Sequence, residues 1–116
     1  MKKNALIIQE DLVLLNILDR LVRSTGYSAR SVRTLSELDI EDQETGFDVI
    51  ISDILFDGIA PLDFVFQLKE IILHEMLLIV TNMGQEKVQA ELMASNNVGG
   101  FFAVPVDMDE LKHFLI

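Results

Sequence analysis

Cysteine is absent from the 116 residues. No disulfide framework and no thiolate chemistry is open to such a chain, and the absence fits a reducing compartment. Basic residues are scarce: nine Lys and Arg stand against 19 Asp and Glu, for a net charge of −10. Arg20, Arg23, Arg30 and Arg33 are spread over two expected elements and form no stripe. An acidic domain without a basic stripe repels a phosphate backbone, so no direct nucleic-acid binding is expected. The acidity suits a divalent cation or a basic protein partner, or is plain solvated surface. Long apolar runs are lacking too. The run that follows Met1-Lys2-Lys3-Asn4 holds only four apolar residues. That is too short for a signal-peptide core or a membrane span, and a cytoplasmic protein with no membrane association is expected. The two histidines, His74 and His113, have no metal-ligand spacing. No repeat, low-complexity segment or linker divides the chain.

What is present is a folded, half-hydrophobic domain (50%) of a length that suits one core, so residues 1–116 are read as a single domain. Its central stretch is Phe47-Asp48-Val49-Ile50-Ile51-Ser52-Asp53. Val49 to Ile51 read as a strand buried on both faces, which ends at a carboxylate. Around it, Ala5–Ile8 reads as a first strand, Tyr27–Arg33 as a polar edge strand, Leu77–Val80 as a fourth and Phe101–Val104 as a fifth. Helical spacing joins them. Leu14, Ile17, Leu18, Leu21 and Val22 make one face of a first helix, which Gly26 is placed to end. Thr34-Leu35-Ser36-Glu37 has capping-box spacing and is expected to start a second, short helix closed by Gly46. Pro61 suits the first turn of a third helix. Glu86–Ala94 reads as a fourth, with Val88 and Leu92 inward. Asp107 precedes a last helix carrying Met108, Leu111 and Leu115 on one face. Apolar strands alternating with helices imply an α/β fold, a doubly wound parallel sheet of five strands. The last helix stops in mid-pattern at Phe114-Leu115-Ile116. Either the fold trims it short or the chain is a fragment of something longer, with an effector domain after Ile116.

In such a sheet the groups at the carboxyl ends of the strands converge. Here they are Gln9, Glu10 and Asp11, then Asp53, then Thr81 and Asn82, then Val104 with Pro105. Close carboxylates repel unless a cation or a proton lies between them. Magnesium fits, held by one or two carboxylates with water and a phosphate. Glu10 and Asp53 are the favoured pair, with Asp11 either a third ligand or only a helix cap. Asp53 is also a candidate nucleophile, since carboxylates form acyl phosphates. Thr81 is placed to donate to a phosphoryl oxygen. Against these stand the readings of Asp53 as a solvated strand end and of Phe101 as plain core.

The ordered set Glu10-Asp11, Asp53, Thr81, Phe101 and Pro105 resembles the response-regulator receiver domain of two-component signalling, over the whole chain. The resemblance implies a flavodoxin-like (βα)5 receiver fold with strand order 2-1-3-4-5. It implies phosphoryl transfer from a sensor histidine kinase to Asp53, with magnesium. It makes Thr81 and Phe101 the pair that reports phosphorylation to the face of helix 4, strand 5 and helix 5, where a homodimer can form. Any catalysis would be confined to the chain's own phosphorylation.

Four positions depart from the family pattern. Gln9 stands where an acid is usual, and Glu10 is one methylene longer than the aspartate it would replace. Val104 stands where a lysine would pair with the acyl phosphate, and no basic residue near it in sequence replaces that charge. Asn82 stands where a small residue is usual. The loop at Phe56-Asp57-Gly58 also lacks the family's proline and adds an acid. Weak magnesium binding and slow or absent phosphorylation of Asp53 are therefore expected. The alternative is a pseudo-receiver that acts by protein contacts without phosphate. A flavodoxin-like enzyme is set aside, because Gln9-Glu10-Asp11-Leu12 is no Ser/Thr/Gly-rich phosphate loop.

Overall fold

The structure is a computed structural model. It describes residues 3–54, 56, 58–81, 86–94 and 98–116, with the backbone alone for 86 and 87. Five strands run parallel in one sheet: β1 (Asn4–Ile8), β2 (Ser28–Val32), β3 (Phe47–Ser52), β4 (His74–Thr81) and β5 (Gly100–Ala103). Their order is β2-β1-β3-β4-β5, as expected from the sequence. The helices are α1 (Leu12–Ser24), α2 (Ile40–Thr45), α3 (Pro61–Ile71), α4 (Glu86–Ala94) and α5 (Met108–His113).

Two apolar cores sandwich the sheet. Leu6, Ile8, Ile50, Leu77 and Ile79 pack with Phe64, Val65 and Leu68 of α3 and Leu92 of α4 on one face. Ala5, Ile7, Val49, Ile51, Leu78 and Val80 pack with Leu15, Leu18 and Val22 of α1 and Leu111 of α5 on the other. Alternate residues of the same strands thus feed opposite cores, which is why β1, β3 and β4 read as unbroken apolar runs. Gly26 (φ 96°) follows α1 and Gly46 (φ 75°) follows α2, both in the left-handed region expected of helix-ending glycines. None of the described helices is long and apolar enough to cross a membrane.

Two local expectations are corrected. The capping box at Thr34 and Glu37 forms, but it closes only a 3-10 turn, Leu35–Glu37, because Leu38 returns to extended backbone. Helix α2 begins five residues later under a second box, with Asp39 as cap and Asp42 reaching back. In α1 the buried line is Leu15, Leu18 and Val22, while Ile17 is 43% exposed. The segment Leu12 to Leu18 is so rich in apolar residues that periodicity alone does not choose the face; the sheet does.

Two carboxylates tie β2 to its neighbours. Burial pushes Asp19 up, but the Ser31 hydroxyl, 2.6 Å away, and Arg23 outweigh it and hold the carboxyl below its ordinary value. Asp42 is held low by the backbone N–H of Asp39, with burial opposing and Arg30 assisting. Both folded-state values lie below the unfolded one, about 3.9. The stability they contribute is full above that value and is lost as pH falls through the folded one. Urea midpoints followed by circular dichroism should therefore hold steady near neutrality and drop below about pH 4. Asp19→Asn should flatten part of that drop, and an unchanged acid limb would rule out Asp19 as a contributor.

Candidate functional site

The sheet register lines up the candidate residues. Ile8 of β1 lies opposite both Val32 of β2 and Ser52 of β3. The ladder runs one step further, with Gln9 N–H donating to the Val32 carbonyl and Asp53 N–H to the Ile8 carbonyl, each at 3.0 Å. Arg33, Gln9 and Asp53 therefore form the next rank across three adjacent strands, at the carboxyl edge.

Asp53 is 9% exposed. Its Oδ1 accepts from the Ile54 N–H at 2.6 Å, and its carbonyl accepts from the Ser52 hydroxyl at 2.6 Å. The acid is thus built into the strand end, a buried group aimed by local backbone, and not a side chain waving in solvent. Gln9 is buried, at 4% exposure, and its Oε1 accepts from the Asp11 N–H at 3.1 Å. It shapes the β1–α1 turn from within. Asp11 is the N-cap of α1, its Oδ1 accepting from Val13 and Leu14 N–H. The cap leaves Oδ2 uncommitted among the described residues. Glu10 is exposed at the same turn. Among the described residues no three acidic, histidine or cysteine side chains come together as a group that could hold a metal ion.

Thr81 ends β4 with 1% exposure, and its hydroxyl has no hydrogen-bond partner among the described residues. A buried hydroxyl without a partner is costly and uncommon, and at a strand carboxyl end it marks a place for an acceptor. By strand alternation Thr81 faces the same side as Ile79, whose partner across the ladder is Phe101. Phe101 is partly buried and packs on that same core. The fold thus brings the expected switch pair, Thr81 and Phe101, onto one face. Val104 is tied to Thr81 through its N–H, which donates to the Thr81 carbonyl at 2.9 Å. Its side chain packs on the core beneath α1 and α5. Asn82 and Asp57 lie outside the described residues.

Sequence reasoning missed Arg33 at this edge. Arg33 follows the last residue of β2, and its Nε donates to the Glu10 carbonyl at 3.3 Å. With Glu10, Thr34 and Glu37 it lines a hollow of about 370 Å³. The signal was available only through the register: once β2, β1 and β3 are paired as observed, residue 33 falls in the rank of Gln9 and Asp53.

No protein-family model matches the chain, and no curated protein matches it either. Solved structures do. A response regulator receiver domain protein from Clostridium thermocellum superposes with a TM-score of 0.79 at 21% identity, over 97% of this chain and 90% of that one. A response regulator from Burkholderia pseudomallei with a phosphorylated aspartic acid, a calcium ion and citrate gives 0.80 at 19% identity, over 99% and 67%. An adenylate cyclase from Rhodopirellula baltica gives 0.82 at 21% identity, over 99% and 85%. The chain has the fold of CheY-like receiver domains, as its sequence led us to expect.

Proposed function

We propose that this chain is a receiver of two-component signalling that accepts a phosphoryl group on Asp53 from a sensor histidine kinase or related signalling protein. One observation carries the reading: a buried carboxylate at the end of the central strand, with a buried Thr81 hydroxyl that has no partner among the described residues at the end of the neighbouring strand. An Asp53 oxygen forms the O–P bond as the N–P bond of a phosphohistidine breaks, and the leaving nitrogen takes up a proton. Thr81 donates to a phosphoryl oxygen, and its movement frees space beside Phe101. The phosphorylated aspartate of the Burkholderia pseudomallei regulator supports the chemistry for this fold.

Asp53, Glu10 and the free oxygen of Asp11 are the groups that would hold magnesium, and they would have to draw together to do so, because they form no ready three-ligand group among the described residues. The ion would supply charge that screens the carboxylates from the arriving phosphoryl group. Binding is weak in this reading, because Gln9 is neutral and Asp11 is half committed to its cap. Output runs through protein contacts on the face of α4, β5 and α5. There Met93 (41%), Phe114 (38%) and Ile116 (80%) are exposed apolar residues that suit a homodimer. Gln9 and Val104 favour a second reading, a pseudo-receiver that docks partners without phosphate.

Intact mass after incubation with phosphoramidate and magnesium separates the two. The expected result is one added phosphoryl group on wild type and none on Asp53→Asn. No adduct on wild type, with beryllofluoride leaving the amide signals of Asp53 and Thr81 unmoved, would establish the pseudo-receiver instead.

A further inference from the structure

We infer that Arg33, at the end of β2, supplies the positive charge that meets the phosphoryl group on Asp53. The inference rests on the receiver reading above. An acyl phosphate carries close to two negative charges, and here it would sit at a buried strand end in a chain of net charge −10. Such a group needs a cation beside it. Val104, whose N–H is bonded to the Thr81 carbonyl, offers only an apolar side chain.

Among the described side chains the other basic residues are engaged or lie elsewhere. Arg30 is held by Asp42 and the Glu37 carbonyl, Arg23 by Asp19. Lys3 lies at the amino edge over Tyr27. Lys69 is in the last turn of α3 and Lys112 in that of α5, while Arg20 is exposed midway along α1. Arg33 alone stands in the rank of Asp53. Two strand steps, about 10 Å, separate the two backbones. An extended arginine and a phosphoryl group carried on an aspartate together span that gap. The guanidinium is already turned the right way, because its Nε is bonded to the carbonyl of Glu10, in the turn that follows β1, the strand between them. Its terminal nitrogens have no partner among the described residues, and Arg33 lines the hollow shared with Glu10. Glu37, the other acid there, accepts from the Arg33 and Thr34 backbone N–H groups. The fork geometry of arginine suits two phosphoryl oxygens at once.

Arg33 acts here by direct contact with the phosphoryl oxygens. The test is beryllofluoride titration with magnesium, read on the amide signals of Asp53 and Thr81, with the lifetime of the acyl phosphate measured alongside. Arg33→Gln should weaken beryllofluoride binding about 10-fold and shorten the lifetime, with the thermal midpoint unchanged. Arg33→Lys, which keeps the charge without the fork, should recover part of the loss. A merely structural role would not be rescued by lysine. Wild-type binding that Arg33→Gln retains in full, or a loss found only in Lys87→Gln on α4, would overturn this inference and leave the receiver reading standing. No response in the wild type would overturn both.

Discussion

Replacing Val104 by lysine together with Gln9 by aspartate is expected to raise the rate and extent of Asp53 phosphorylation by about 10- to 100-fold. The figure is that of one charge-assisted bond regained in a partly desolvated site, about 1.5–3 kcal/mol. The two changes act on different steps. Lysine at position 104 would stabilise the phosphorylated state proposed for Asp53. Its stem can keep the apolar packing that Val104 makes beneath α1 and α5 while the ammonium reaches outward to the mouth. Aspartate at position 9 adds a magnesium carboxylate, but at a structural cost. Gln9 is buried and holds the Asp11 N–H, and a second carboxylate there lies in the same rank as Asp53. Without a divalent ion the two acids repel. The double variant should therefore be less stable than wild type in chelator and regain stability with magnesium, whereas wild type should respond little. Phosphoramidate time courses by intact mass, and thermal midpoints with and without magnesium, measure both effects. A double variant that behaves like wild type in both would show that neither position limits the pocket.

How far the sequence alone reaches is clear from particular residues. The strand ending at Asp53 was readable because a run buried on both faces was cut by one carboxylate. Pro61 and Gly26 marked a helix start and a helix end for local steric reasons that no tertiary contact reverses. The second helix was misplaced because Thr34 and Asp39 both carry capping boxes, and local chemistry does not say which one a helix will continue from. At the candidate site, the placement of Asp53, Thr81 and Glu10 at the carboxyl edge was readable from strand ends. Arg33 was not, since its place in the rank depends on the pairing of three strands, and neither was the lack of a partner for Thr81 among the described residues. Sequence identities of 21% and below with the solved structures fit this pattern. What the fold requires is apolar residues that feed both faces of its strands, which many different sequences can supply.

Thr81→Val is expected to move stability and function in opposite directions. The Thr81 hydroxyl is buried with no partner among the described residues, so the folded state bears its desolvation without a compensating bond. Exchanging it for a methyl group of nearly the same shape should stabilise the fold by about 1 kcal/mol. The neighbouring Ile79, Phe101 and Thr81 backbone pairings need no rearrangement for this. The same change removes the donor proposed for the phosphoryl oxygen, and beryllofluoride affinity should fall about 10-fold. Thr81→Ser separates the two effects: it keeps the donor, so affinity should stay close to wild type, while the lost methyl leaves a small void and lowers stability. Urea unfolding and the amide titration read the two quantities independently. If Thr81→Val destabilised the fold, the hydroxyl would have to be bonded in the resting protein. If it stabilised the fold and left affinity intact, the hydroxyl would be a packing residue and not the group that receives the phosphoryl oxygen.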